Sequence, residues 1–347
     1  ISACLVGSEM CIRDSSWIVG GFQLAYTLFQ PLCGWLIDVI GLKIGFMICA
    51  SLWGIACLLH AGAGSWIQLA LLRFFMGGAE ASATPANAKI IGEWFPKSER
   101  PVAAGWAGVG FSIGAMLAPP IIYFAHASFG WQGAFMFTGA LAILWVFLWW
   151  ACYNTPEEHP NLSKNELNFI RQDNEAPPVK MPFLTALKTV SKNKRFYGIA
   201  IPAFMAEPAW AVMSFWVPLY LAKAYGMDLK QIALFAWLPF LCADLGSIAS
   251  GYLTKLYTRL FGLSRVNSVI ASSVSGAFLM VSLAVIAFID NPYIAIVLIS
   301  IGGFGHQIIS CMLSALVVES FDKGQMATVN GMRGSAAWIA SFLFSLI

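Results

Sequence analysis

Arg73 and Glu80 stand seven residues apart in an otherwise apolar run, RFFMGGAE at 73–80. On a helix that spacing is two turns, so both side chains share one face. A charge near the centre of a bilayer costs at least about 2.5–3.5 kcal/mol, so such residues must face a cavity or a partner. A guanidinium there can hold a carboxylate, and a carboxylic acid can carry a proton. A purely structural Arg–Glu pair satisfies the same pattern. Glu207 opens a second possibility, because it precedes Pro208 in the middle of another apolar run. Proline removes a backbone hydrogen bond and biases the preceding residue away from helix. Freed carbonyls beside a carboxylate suit sugar hydroxyls or a proton; a locally satisfied kink is the other reading. His306 and Gln307 follow a glycine-rich stretch. Gln307 can bind hydroxyls, and His306 can relay protons or pack as a hydrogen-bonded core residue. The Arg333 guanidinium matches a carboxylate bidentately, though its position also lets a long side chain snorkel to an interface. Asp244 reads as a gate or a helix-packing contact. The eight cysteines form no CxxC, and no nearby histidine completes a zinc set, so neither a metal site nor a cofactor is expected.

The elements that position these residues follow from composition. Of the 347 residues, 59% are hydrophobic, 14% aromatic and only 11% charged, against roughly 25% charged in a soluble globule. Mean hydropathy is +0.73. So few charges cannot coat a soluble protein of this size, which excludes a soluble enzyme, a nucleic-acid binder and a disordered scaffold. The net charge of +3 is too small to steer the chain toward polyanions. An all-α, polytopic membrane protein is expected, with the lipid bilayer as its surroundings and no nucleic-acid partner.

A bilayer core needs about 20 largely apolar residues per helix. Windows of that kind fall near 16–37, 44–63, 65–92, 101–125, 131–151, 196–222, 229–254, 265–289, 292–317 and 325–347. A polar segment, 152–195, divides them into five and five, and two equal bundles about one long loop suggest a duplicated transporter. Fourteen lysines and arginines, seven of them in the central segment, lie on one side and only Lys223 and Lys230 on the other. That bias predicts a cytoplasmic central loop. Residues 1–15 are neither a signal peptide nor a span; they read as an artefactual leader, with a genuine amphipathic leader as the alternative. Residue 347 stops inside an apolar run. No acidic cluster suited to magnesium pyrophosphate occurs, which weighs against a polytopic membrane enzyme. A channel, the third class, predicts linear and unsaturable flux.

In GWLIDVIGLK at 34–43, Gly34 allows close helix approach. Asp38 sits at a helix–loop junction, where a carboxylate can meet a neighbouring helix N-terminus. Gly41 permits a tight turn, and Lys43 is an interfacial anchor. This short loop resembles the one between spans 2 and 3 of the major facilitator superfamily. In the second half, GYLTK at 251–255 puts Lys255 where the family's Asp would stand, suggesting a weaker gate contact there. The 73–80 run, followed by Pro85 and EWFPKSER at 93–100, resembles the anion:cation symporters of that superfamily. AEPAW at 206–210, FAWLPF at 235–240, ADLG at 243–246 and GGFGHQ at 302–307 are similar to the bacterial hexuronate carriers, which move galacturonate and glucuronate.

The resemblance implies a major facilitator fold of which spans 2 to 11 of twelve are present, with bundles at 16–151 and 196–347. It implies proton-coupled symport of a hexuronate by alternating access, in a monomer of the bacterial inner membrane. Another sugar acid, an aldarate or aldonate, is the alternative cargo. Tyr26 matches a family tyrosine at the substrate site, although an ordinary interhelical hydrogen bond also accounts for it. The expected substrate residues are Tyr26, Arg73, Glu207, Gln307 and Arg333. Those for proton coupling are Glu80, Glu207 and His306, and those for gating are Gly34, Asp38, Gly41, Lys43 and Asp244.

Overall fold

A computed structural model describes residues 9–173, 179–215, 217–235 and 237–345. Residues 1–8 of the expected leader and the AlaProPro run at 176–178 lie outside them, while 9–15 form the first turns of a helix. The helices are α1 (Glu9–Ile40), α2 (Leu42–His60), α3 (Trp66–Glu80), α4 (Ala83–Trp94), α5 (Arg100–Cys152), α6 (Lys164–Ile170), α7 (Phe183–Lys192) and α8 (Lys194–Phe215). They continue with α9 (Val217–Tyr225), α10 (Leu229–Phe235), α11 (Leu238–Phe261), α12 (Arg265–Met280), α13 (Ser282–Val285), α14 (Pro292–Ser320) and α15 (Met326–Ser345). No strand occurs among the described residues.

Among the described residues the ten apolar windows are mainly helical, but their breaks differ from the expectation in several places, as at Val281 between α12 and α13 and in the third to fifth windows. The third window divides into α3 and α4 at Ala81–Ser82, where the Ser82 hydroxyl turns back onto the Ala79 carbonyl at 2.8 Å, a side-chain bond that competes with the helical ladder. The fourth and fifth windows join into α5, broken only by Gly130 at φ 69° and ψ −173°, a backbone geometry that glycine adopts without a Cβ penalty. Among the described residues five helical segments are long and apolar enough to cross a membrane: Leu42–His60, Phe124–Cys152, Lys194–Met213, Arg265–Phe288 and Pro292–Ser320. Large apolar side chains point outward along them, Phe288 being 84% exposed and Phe129 75%. In water such a surface would aggregate; against lipid it is the stable one.

Two compact units emerge, and neither is a single stretch of sequence. The first takes residues up to Trp94, Leu117–Phe196 and those from Phe321 onward. The second takes Phe95–Met116 and Tyr197–Ser320. In the first, α1 crosses α15 at close range. A side chain on Gly34 would collide with the Ala327 backbone, and one on Gly331 with the Gln30 carbonyl. Pro31 lies inside α1 and lacks the amide that would satisfy the Thr27 carbonyl. The Ser335 hydroxyl of α15 donates to that carbonyl at 2.5 Å, so the proline's defect becomes an interhelical tie. In the central segment, Ser163 begins α6 with a reciprocal capping box. Its amide and hydroxyl hold the Glu166 carboxyl below the usual carboxylate range.

In the second unit, α11 and α14 meet where Gly246 lies against the Phe304 backbone, and α12 meets α14 through Gly276 and Gly305. Small residues at a crossing let helices gain backbone-to-backbone packing that lipid cannot offer. The first stretch of α5 joins them, the Ser247 hydroxyl donating to the Gly105 carbonyl at 2.6 Å.

This packing sets one expectation. Gly34→Ala places a methyl against the α15 backbone and should cost about 1–3 kcal/mol, as overpacked cores do. Gly20→Ala, on the same helix with nothing within 4 Å of the new Cβ, should be neutral or should stabilise by up to about 1 kcal/mol. Thermal unfolding of the two purified variants in detergent checks this; equal Tm values would contradict the close crossing.

Candidate functional site

The sequence-derived site residues divide between the units. Tyr26, Gly34, Asp38, Gly41, Lys43, Arg73, Glu80 and Arg333 belong to the first, and Glu207, Asp244, His306 and Gln307 to the second.

Helix α3 starts at Ser65, whose hydroxyl caps the Gln68 amide at 3.3 Å. Arg73 lies two turns in and is half-buried. Its guanidinium carbon sits 5.8 Å from the centroid of the Phe135 ring, within the range of a cation–π interaction. Among the described residues no ion pair joins it to Glu80 within 4 Å. The direct Arg–Glu ion pair is therefore not formed here, although the two charges still act on one another across the shared face. Glu80 is half-buried at the end of α3, just before the break. Gly77 and Gly78 bring that end against Phe22 and Phe29 of α1. Ala81 consequently shares a buried cluster with Tyr26, and Trp338 of α15 packs on it. The Tyr26 ring lies 4.6 Å from that of Trp338. Arg333 is buried rather than snorkelled: its Nε donates to the Asn330 side-chain oxygen at 2.8 Å, and the Asn330 amide donates to the Thr84 carbonyl at 2.8 Å.

In the second unit the structure pairs two residues that the sequence offered separately. His306 Nε2 and Glu207 Oε2 lie 3.9 Å apart. Trp210, one turn beyond Glu207, stacks on the His306 ring at 5.1 Å and 18°, and Phe240 meets Trp210 edge-on. Pro208 removes the amide that would bind the Phe204 carbonyl, so polar backbone flanks this acid–imidazole pair. Gln307 is buried at the next position, and Asp244 is buried on α11.

Asp38 lies in a dense polar environment. Its carboxylate accepts from the Thr328 amide and hydroxyl, both at 2.8 Å, and from the Ala327 amide at 3.4 Å. These are first-turn donors of α15, which have no partner within their own helix. The Lys89 ammonium pairs with the same carboxylate at 2.9 Å and also donates to the Lys323 carbonyl. Gly41 follows at φ 96°, a backbone region that favours glycine, and Lys43 donates to the Asn154 side chain at 2.9 Å. Lys255, at the matching position of the second half, is exposed and has no such environment. The second unit uses a cation instead. Arg100, 1% exposed, donates to the Val318 carbonyl at 3.2 Å in the last turn of α14, where the helix dipole favours positive charge.

Sequence reasoning assigned no role to Lys89 or His60, and it counted Arg100 as an interfacial charge and a motif residue and Trp210 as a motif residue, without a structural role for either. A lysine inside an apolar window was the available signal for Lys89. The partners of Arg100 and Trp210 are distant in sequence and left no local sign. An apolar recess of about 420 Å³ lined by Phe29, Leu52, Phe74 and Phe75 carries no charged side chain. A hydroxylated anion would lose its hydration there without compensation, so the chemistry lies elsewhere.

Buried charges at helix ends and in the interior of a multi-pass helical membrane protein suit a carrier. The chain belongs to the Major Facilitator Superfamily, whose sequence profile matches residues 12–345. It is 43% identical to the hexuronate transporter of Escherichia coli over 96% of this chain and 78% of that one. It is 41% identical to the galacturonate transporter of Dickeya chrysanthemi, covering 82% and 83% of the two chains. The crystal structure of the E. coli fucose:proton symporter shares the fold, with a TM-score of 0.71 at 13% identity over 96% of this chain and 83% of that one.

Asp38→Asn should leave Lys89 buried beside a neutral partner and should cost about 3–5 kcal/mol. Combining it with Lys89→Met removes the orphaned charge and should raise Tm above that of the single variant. A double variant no more stable than Asp38→Asn would show that the ion pair is not what holds this junction.

Proposed function

We propose that the chain is a proton-coupled symporter of hexuronates, galacturonate and glucuronate, working as a monomer by alternating access. The observation that carries this reading is the Arg73 guanidinium, held in an apolar helix over an aromatic ring with no carboxylate within ion-pair distance among the described residues. A uronate is an anion at neutral pH, since carboxyl groups of this kind ionise near pH 3–4, and its planar carboxylate fits the guanidinium fork. Two relatives above 40% identity, named as hexuronate and galacturonate transporters, support the same cargo. The positive-inside bias supports a cytoplasmic central loop in a bacterial inner membrane.

Coupling follows from electrostatics. Glu80 carries the proton in this reading. With Glu80 protonated and a uronate on Arg73, the site is close to neutral and can be enclosed. Either ligand alone leaves a net charge whose desolvation opposes closure. Tyr26 and Arg333 belong to the same unit as Arg73; within the other unit Glu207 and His306 form a further pair that can hold a proton, and Gln307 can hydrogen-bond hydroxyls. Asp38, Lys43 and the glycines beside them govern the junction with α15, and Asp244 serves the corresponding role on α11. The reading is a carrier's, so flux saturates and shows counterflow.

Two expected outcomes follow. Arg73→Lys should lose most uptake at low substrate concentration, because an ammonium cannot reproduce the bidentate fork; near-normal uptake would remove Arg73 from substrate binding. Glu80→Gln keeps the size and a donor but cannot release a proton. It should retain labelled-uronate counterflow and lose accumulation driven by an inward proton gradient, at matched protein levels. Accumulation that survives would move the proton role to Glu207 or His306.

A further inference from the structure

His60 closes α2 and is wholly buried. Its Nδ1 lies 2.6 Å from the Ala56 carbonyl, an acceptor, so Nδ1 carries the proton in the neutral ring and Nε2 is left as an acceptor. Nε2 is buried and has no hydrogen-bond partner among the described residues. Burying an unmet acceptor is destabilising, and a leucine of similar bulk would avoid it. What the imidazole offers in return is a flat polar face. It stacks on Phe135 with ring centroids 4.8 Å apart and planes at 15°. Phe135 is fixed on its other sides as well. Trp131 meets it edge-on at 6.2 Å, and its carbonyl accepts from Thr138 Oγ1 at 3.2 Å and from Cys57 Sγ at 3.7 Å. The guanidinium that lies over this ring is that of Arg73. Arg73 makes no hydrogen bond to another described side chain, so the ring provides its directional contact.

We propose that His60 and Phe135 are positioning residues for the substrate carboxylate: α2 supplies the imidazole that locks the Phe135 ring, α5 supplies the ring, and the ring holds the Arg73 guanidinium of α3 in the plane that meets the sugar acid. This deepens the reading of Arg73 as the carboxylate ligand and rests on it. A guanidinium on a long, flexible stem loses side-chain entropy when it binds. A preset ring face removes part of that loss before the substrate arrives. The neighbouring ionisable groups are Arg73, Glu80 and Cys57, and none of them hydrogen-bonds to the imidazole.

The test measures half-saturation and maximal rate of galacturonate counterflow in proteoliposomes, at matched protein levels. Phe135→Leu should raise the half-saturation concentration roughly three- to thirty-fold, the range of a cation–π contact, with the maximal rate little changed. Phe135→Tyr, which keeps the ring face, should restore it, and His60→Leu should shift it in the same direction. In an Arg73→Lys background, Phe135→Leu should add little, because the two act as one unit. A fall in maximal rate with unchanged half-saturation, or an undiminished effect of Phe135→Leu on top of Arg73→Lys, would make the bracket structural only and overturn the proposal. Should Phe135→Leu not reach the membrane, Phe135→Met and His60→Leu carry the same comparison. Failure of the parent reading looks different: Arg73→Lys alone would then leave half-saturation unchanged, and the bracket would lose its object with it.

Discussion

The first unit depends on one carboxylate that finishes another helix. In a bilayer, backbone donors that lack a partner cannot turn to water, and the first turn of any helix has such donors. Asp38 meets those of Ala327 and Thr328 at the start of α15 while Lys89 neutralises its charge. That junction sets the approach of α1 to α15, which only glycine at 34 and 331 tolerates. The approach in turn allows Ser335 to reach the carbonyl that Pro31 leaves open. It also seats Trp338 on Tyr26. Breaking the carboxylate contact would thus strand a lysine, several amides and a carbonyl together. The second unit meets the same constraint with the opposite sign, Arg100 closing the C-terminal end of α14.

Against these satisfied ends, the interior charges are arranged differently. Among the described residues Arg73 has a ring and no carboxylate within ion-pair distance, Glu80 acts on it from further along the same face, and Glu207 faces an imidazole at 3.9 Å that can be neutral or charged. A protein that needed only to be stable would replace such groups with apolar ones, since buried ion pairs are seldom net stabilising. Retaining them makes sense where an anion and a proton complete the set by turns. The aromatic groups beside them, Phe135 for Arg73 and Trp210 for His306, limit the rotamers available while the ligand is away.

Much of this was legible in the sequence, for physical reasons that can be named. Hydropathy windows located the helices because lipid demands length and apolarity together. They missed the break at Ala81–Ser82, where a hydroxyl turns back onto the ladder, and the continuity of α5 up to Gly130. Asp38 was expected at a helix N-terminus from its place beside a turn. Which helix it would finish was not expected, since Thr328 lies 290 residues away. Arg73 and Glu80 stood out as charges in an apolar run facing a cavity or a partner, but the ring on which the guanidinium rests, Phe135, left no sign in the spacing. The stacking of His60 and Trp210 stayed silent because a buried ring matters through what lies on it, and stacking partners on other helices leave no periodicity to read.

The central claim is that the sugar acid and the proton cross together. The most direct measurement is the internal pH of proteoliposomes carrying a trapped pH-sensitive dye, with no imposed gradient, after galacturonate is added outside. The account predicts prompt, saturable internal acidification that tracks labelled galacturonate uptake and is absent with galactose, which has no carboxylate. Galacturonate uptake with no accompanying change of internal pH would contradict it.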